Sequence, residues 1–534
     1  MNLTKKTIWL SILFFYSISA QFITKEKFDW EGGRPEGCTT ILVGKEASID
    51  GSVMNSHTDD SHRDRAWMDI EPAKNHPPGS MAQMTVRTKN DSVAMTAYTF
   101  QPIGKIPQVE HTYKYINTGY PCMNEYQLAI SESTIGGRDE LKSDKGLIDC
   151  YQLVHLMMQR TKTAREAIEL ARILLDEYGW NDYGECLNIA DTKEIWMMEI
   201  FGPGEGKVGA VWAAQRVPDE HISVNANASR ITKIDLNDSD NYRASENVYD
   251  IAKENRWWNE ADEFKFCYAV DPDGRKSLSS RRREWRVLSL AAPSLELDAN
   301  TENYPFSVKP DKKITKWKMV EMFRDYYEGT PYDMRKTITW TNEEGQTEIS
   351  PLANPFMPYD ELKTLRINGG WNELGERTIA RWYTMYATIT QSRDWLPNEV
   401  GGVVWFAWDN VATSIYVPIY SSIESVPDSY KFPGRIKGFS RESAWWAFNR
   451  LSGITAQRWG EMSNDVHKVW NEWQKEMFSN QEKVETNFLN LAREQNKSEA
   501  IKMLTNYSND WANRVVKKAW KLGDYLWTKY DEKF

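Results

Sequence analysis

Residues 37–44 read Gly37-Cys38-Thr39-Thr40-Ile41-Leu42-Val43-Gly44. The apolar run closing on a glycine predicts a short buried strand. Asp50-Gly51 then supplies a turn before Ser52-Val53-Met54-Asn55-Ser56-His57 runs back. If the chain is cut before Cys38, that residue acquires both a thiol and a free α-amine. Thiols titrate near ~8.5 and α-amines near ~7.7–8.0, so the amine can take the thiol proton directly or through a water. Attack on an amide carbonyl further requires an oxyanion hole and a group to hold the charged end of the substrate.

What precedes Cys38 suits such a cut. Lys5 and Lys6 lead into an apolar stretch from Ile8 to Ile18, followed by Ser19-Ala20. That order predicts a secretory signal over residues 1–20 and a secreted or periplasmic product, since a membrane span needs about twenty apolar residues. Residues 21–37 are polar, contain Gly and Pro, and read as a propeptide or linker removed on maturation. No later segment is apolar enough to span a bilayer, so no stable membrane insertion is expected after the signal is removed.

The 534-residue chain is 41% hydrophobic and 27% charged, the balance of a soluble globular protein. A formal net charge of -10 excludes a nucleic-acid surface, which needs a concentrated basic patch. The longest basic run is Arg281-Arg282-Arg283. Of five cysteines, Cys122, Cys150, Cys186 and Cys267 are widely spaced without a CxxC pair, so structural zinc is not expected and isolated thiols are favoured over disulfides. The 24 tryptophans read mainly as core and helix-packing residues, with a glycan or peptide groove as the alternative.

Downstream, Thr163 to Tyr178 predicts a helix. Thr163 and Glu166 form a capping box, Ala167, Leu170, Ile173 and Leu174 an apolar face, and Gly179 a stop. Leu187 to Asp191, Glu194 to Ile200 and Val208 to Val217 predict successive antiparallel strands, with a turn at Gly202-Pro203-Gly204. A second strand-rich block covers 402–408 and 413–420. Beyond about residue 440, Val466, Trp470, Trp473 and Met477, then Trp511, Val515, Leu522 and Leu526, recur at helical spacing. Grouped strands and grouped helices predict an α+β layered fold, with the main domain at 38–450 and a C-terminal helical extension at 451–534.

The run Asn55-Ser56-His57-Thr58-Asp59-Asp60-Ser61-His62 carries two His and two Asp. Its spacing matches no HExxH metal motif, so no metal is expected; His57 and Asp60 are read instead as flanking the nucleophile from the next strand. Asp60 would orient the α-ammonium or bind a substrate amine.

Residues 37–61, GCTTILVGKEASIDGSVMNSHTDDS, resemble the N-terminal signature of the dipeptidase family of N-terminal-nucleophile cysteine peptidases, relatives of choloylglycine hydrolase and penicillin V acylase. The block GYPCMNEYQLAISESTIGGRDEL at 119–141 resembles that family's Met-Asn-Glu…Glu-Ser-Thr…Gly-Gly-Arg pattern, and HISVNANASRI at 221–231 its Ala-Asn…Arg-Ile strand. The likeness extends to about residue 450. It implies a four-layer αββα sandwich, Cys38 as nucleophile and Asp60 as the acid near its amine. It further implies Asn227 as oxyanion donor, with Asn225 competing, and Arg283 or a neighbouring arginine as a second polar catalytic residue. His57 stands where many relatives carry Arg, and Thr134 near where acylase relatives use Asn; both are assigned to substrate binding. The implied activity is a secreted, self-processing cysteine dipeptidase without cofactors, working on dipeptides or short amides through a Cys38 thioester. An acylase of N-acyl amino acids, bile-salt-like amides or penicillins is the alternative. A glycan-binding surface protein and a glycosidase are the readings outside this chemistry. A homo-oligomer is one of the assembly states left open.

Overall fold

The computed structural model describes residues 37–90, 97–371, 375–494 and 496–533. The expected leader, and residues 21–36 of the expected propeptide, lie outside the described residues. Ten strands and six helices frame the site. The strands are β1 Gly37–Val43, β2 Met54–Asp60, β3 Ala129–Ile135, β4 Gly184–Ala190, β5 Ile195–Phe201, β6 Val211–Arg216, β7 Ile222–Asn225, β8 Thr384–Gln391, β9 Val403–Trp408 and β10 Val417–Tyr420. The helices are α1 Cys150–Arg160, α2 Ala164–Tyr178, α3 Leu278–Ala291, α4 Ala444–Ala456, α5 Trp459–Arg493 and α6 Lys497–Lys529.

The fold is mixed α+β, with two antiparallel sheets and long C-terminal helices. The first sheet runs β7-β1-β2-β8-β9-β10, with Ser307–Val308 at its edge beyond β7. The second holds β6-β5-β4-β3, extended at both ends by shorter strands. β1 and β2 pack face to face on β3. Every residue of β1 is buried, because both of its faces are covered. Strand alternation sends Cys38, Thr40 and Leu42 to one face and Thr39, Ile41 and Val43 to the other.

A polar layer between the sheets fixes their register. Asn55 donates to the carbonyls of Ala129 at 3.1 Å and Asn188 at 2.8 Å, Ser131 donates to Asn55 Oδ1 at 2.6 Å, and Asn188 donates to Thr40 Oγ1 at 2.9 Å. A buried amide left without these partners costs about 1–3 kcal/mol, so a sheet shifted by one residue is penalised at each contact.

α2 forms as its caps predict: Thr163 Oγ1 accepts from Glu166 N at 3.2 Å, and Gly179 closes the helix at φ 72°. Its apolar face is rotated from the expected one. Ile168, Ala171 and Leu175 join Ala167 and Leu174 in the core, whereas Ile173 is exposed. α1 and α2 bury Leu153, Met157 and Ile168 with Leu187, Trp196 and Met198 of the second sheet. α3 packs on β7, α4 on β9 and α6 on β10.

The block at 402–420 joins the sheet of Cys38, and residue 450 falls inside α4. The side chains of Val466, Trp470, Met477, Trp511, Val515 and Leu526 belong to the same continuous core as β1, β2 and β9. Among the described residues no helix is long and apolar enough to cross a membrane. All five cysteines are free, buried thiols. Trp180, Trp196, Trp212, Trp405, Trp408, Trp459 and Trp470 are fully buried, which accounts for much of the tryptophan content by packing.

Candidate active site

Cys38 lies at the start of β1, where the two sheets meet a cavity of about 320 Å³. Antiparallel register sets Gly37 opposite Asp60, Cys38 opposite Asp59 and Thr40 opposite His57. Cys38, Asp59 and His57 therefore share the face toward the second sheet. The Cys38 thiol donates to Glu132 Oε1 at 2.9 Å, and His57 Nε2 lies 3.1 Å from the same oxygen. Edges of Tyr120 and Tyr386 box the imidazole, with ring centroids 6.3 and 5.7 Å away.

The backbone of Cys38 is held separately. Its N–H donates to Asn227 Oδ1 at 3.2 Å. Arg283, reaching from α3, donates to Cys38 O at 2.7 Å and Thr39 Oγ1 at 3.1 Å through Nη1, and to Ala226 O at 3.0 Å and Asn227 Oδ1 at 2.9 Å through Nη2. Asn227 sits at φ 63°, a left-handed conformation that asparagine tolerates better than most residues. Its turn is pinned by two buried acids. Glu199 accepts from Ser229 Oγ at 2.5 Å and Arg230 N at 2.6 Å, and Asp271 accepts from Ser229 N at 3.0 Å.

Each expected site residue has a definite place. Cys38, Asp60 and Thr134 line the cavity. Asp60 is bound on the α3 side of the sheet by Arg377 at 2.5 Å and Thr384 at 2.6 Å, so Asp59 is the acid directly across from Cys38. Asn227, rather than Asn225, meets Cys38; Asn225 instead accepts from Asn227 N at 3.1 Å. The Asn227 amide turns its oxygen to Cys38 and spends its Nδ2 on Thr134 O at 2.8 Å, an orientation that differs from the expected oxyanion donor. The 281–283 run is buried, not a surface charge cluster, and only Arg283 of the three reaches Cys38. His57 does not line the cavity but stands behind Glu132, which differs from the substrate contact expected of it.

Glu132, Asp59, Glu185, Arg87 and Arg377 were not singled out from sequence. Glu132 had a signal: it precedes Thr134 by two on a strand, so the two share a face. Arg87 had none. It arrives from the hairpin Met81–Asn90/Ala97–Pro107 and donates to Tyr120 Oη at 2.6 Å and Asp182 at 2.9 Å.

Burial, followed by the charges of Glu132, Asp59 and Asp60, pushes the Cys38 thiol well above its ordinary pKa. Burial also opposes ionisation of Glu132, but the hydrogen bond and charge of His57, with the Cys38 contact, outweigh it and set its pKa below the usual carboxylate value. Glu185 is driven far upward by burial, then by Glu132 and Asp182. The two neighbouring carboxyls are thus pushed in opposite directions. Asp59, Asp60, Asp64, Glu132, Asp182 and Glu185 line the cavity with Arg87 as the one lysine or arginine among the lining residues. That lining suits a small, positively charged group better than an acyl chain. A more open hollow of about 500 Å³ at Lys253, Trp257 and Trp258 has no cysteine, serine or threonine among its lining residues.

A cysteine at a strand end in a carboxylate-lined cavity is compatible with the site of a cysteine-type peptidase. The chain belongs to peptidase family C69, whose model matches residues 37–472, and is a member of that cysteine-type dipeptidase family. It is 25% identical to a probable dipeptidase of Latilactobacillus sakei over 458 residues, covering 82% of this chain and 85% of the relative. A probable dipeptidase B of Lactococcus lactis subsp. lactis is 25% identical, covering 75% and 78%. A probable dipeptidase of Salmonella dublin is 25% identical, covering 73% and 82%.

Proposed function

We propose that this protein is a secreted, self-maturing dipeptidase in which removal of residues 1–37 leaves Cys38 as an N-terminal nucleophile. The observation that carries the reading is the double hold on Cys38. Its thiol lines an acid-lined cavity, while Asn227 and Arg283 fix its backbone N–H and carbonyl. The two sheets with helices on their outer faces support a four-layer αββα sandwich of the N-terminal-nucleophile type, with 451–534 as its helical extension. The signal-like order of residues 1–20 supports export to a periplasm or beyond.

In the reaction the α-amine takes the thiol proton and sulfur attacks the scissile carbonyl carbon. The tetrahedral intermediate collapses to a thioester as the α-ammonium protonates the departing amine. Water then hydrolyses the thioester, its proton returning through the same amine. Asn227 Oδ1 orients the amine. Its Nδ2 serves the oxyanion only once it leaves Thr134 O. The cavity carboxylates receive the free ammonium of a dipeptide, which favours a dipeptide over an N-acylated substrate.

N-terminal analysis and turnover test this together. The mature protein should begin at Cys38, and Cys38→Ala should retain the upstream residues and hydrolyse nothing. A free dipeptide should be cleaved at least tenfold faster than its N-acetyl form, the scale of one lost charged contact. Full activity in a chain that keeps residues 21–37 would overturn the mechanism, and preference for the acylated substrate would make the protein an acylase.

A further inference from the structure

Cys38, His57 and Glu132 come from three different strands and direct a thiol, an imidazole and a carboxylate toward one point. Their ligand atoms all lie within 4.8 Å of one another, with Glu132 Oε1 2.9 Å from Cys38 Sγ and 3.1 Å from His57 Nε2. Tetrahedral zinc bonds of about 2.0–2.3 Å separate neighbouring ligands by roughly 3.3–3.8 Å. The two edges through Glu132 Oε1 therefore need to open by only a few tenths of an ångström. The second oxygen of Glu132 is buried and lacks a hydrogen-bond partner, as is Glu185 Oε2 beside it. Leaving a carboxylate oxygen buried and unmatched is costly, and a cation relieves that cost directly. Glu132, Cys150 and Glu185 form an adjoining trio, also within 4.8 Å of one another. Sulfur, nitrogen and a single oxygen suit zinc-class ions; magnesium and calcium favour oxygen throughout.

We infer that the layer just beneath the cavity, where Glu132 stands between Cys38 and His57, is a binding site for a zinc-class divalent cation held by those three residues, and that its occupancy silences the nucleophile. The sulfur–metal bond forms as the S–H bond breaks, and the proton leaves to solvent with no change of oxidation state. Coordination draws electron density from the thiolate and sets an ion against its sulfur, which slows its attack on a carbonyl. The inhibitory consequence rests on Cys38 being the nucleophile; the binding does not.

The purified protein, its N-terminus established by intact mass, is titrated with Co²⁺, whose thiolate charge-transfer absorption reports sulfur ligation, and with Zn²⁺. One equivalent should bind with a one-thiolate band, and calorimetry in two buffers should give about one proton released per ion. Zn²⁺ should protect Cys38 from alkylation, read by peptide mass, and a chelator should restore both alkylation and dipeptide hydrolysis. Cys38→Ser and His57→Gln should each weaken binding at least tenfold, in line with the loss of a ligand, while Cys150→Ser keeps the band. A band that survives Cys38→Ser and vanishes in Cys150→Ser would move the ion to the adjoining trio and overturn the assignment. So would unprotected Cys38 at millimolar Zn²⁺. Absorption and alkylation are read whether or not dipeptides are cleaved, so a failure of the peptidase reading and a failure of this one are told apart.

Discussion

At Gly37 a side chain has no room: an added Cβ would approach Asn227 Oδ1 to 2.6 Å. That oxygen is already fixed by Cys38 N and Arg283, so it cannot withdraw cheaply. Gly37→Ala should slow maturation roughly ten- to hundredfold, the scale of an ångström's misplacement at a reacting centre, as followed by intact mass over time. Glu132 contributes in the opposite sense to the nucleophile's ionisation, since its charge raises the thiol pKa. Glu132→Gln should therefore move the pH profile of Cys38 alkylation to lower pH. A profile that stays in place would remove Glu132 from the electrostatics of the thiol. Asp409 offers a third test. Burial pushes its carboxyl up to about 7, while Asn449 donates to it at 2.8 Å. The folded state then binds a proton that the unfolded state releases near ~3.9, so stability falls as pH rises through that window and levels off above the folded pKa. Asp409→Asn should stabilise the protein by about 1–3 kcal/mol at pH 8 and by little near pH 4, by denaturant melts at both pH values.

Among the elements, α5 supplies an uncommon contact. Gln474 is fully buried and pairs with the backbone of Tyr416 just before β10, accepting from its N–H at 2.8 Å and donating to its carbonyl at 3.0 Å. A side-chain amide thus completes a backbone ladder. Gln474→Leu keeps the volume but orphans two buried backbone groups, and should cost about 2–4 kcal/mol in chemical denaturation. α2 was legible because caps, period and glycine stop agree within sixteen residues. Its buried face was read one position off, since Ile168 and Ile173 are equally apolar and only the sheet beneath decides between them. The strand of Cys38 was also legible, but its partners were not. β7 and β8 lie far along the chain, and no local signal states which strands will pair. The same distance hid Arg87 and Arg377, whereas Cys38, Asn227 and Arg283 were found because family-like blocks carry them. Within Arg281-Arg282-Arg283, composition suggests solvent, and only the helix phase shows which guanidinium reaches Cys38.

For the whole molecule, the long helices share one core with the sheet of Cys38. The buried chain Trp405–Gln391–Gln481–Glu485–Arg393 stitches α5 to β8 and β9, with Trp405 Nε1 donating to Gln391 Oε1 at 2.9 Å and Gln481 Nε2 to Gln391 Oε1 at 3.1 Å. Truncation after Gln457 would remove Trp470, Met477, Trp511 and Val515 and uncover the apolar faces of α4 and β10 on which α5 and α6 pack. The shortened chain should be insoluble or molten by near-ultraviolet circular dichroism, and a folded, active one would make the helices a dispensable appendage.

The pairing of Asp60 with Thr384 joins residues 324 positions apart. β2 leaves the ribosome early and waits for β8 before its sheet can close. At synthesis rates of roughly 5–20 residues per second, that wait lasts on the order of tens of seconds. A scission that needs Gly37 and Cys38 seated against Asn227 and Arg283, in a sheet that β8 closes, waits for all three. On the proposed maturation, the cut becomes a timestamp of completed folding, and a nascent or broken chain never carries an unmasked thiol.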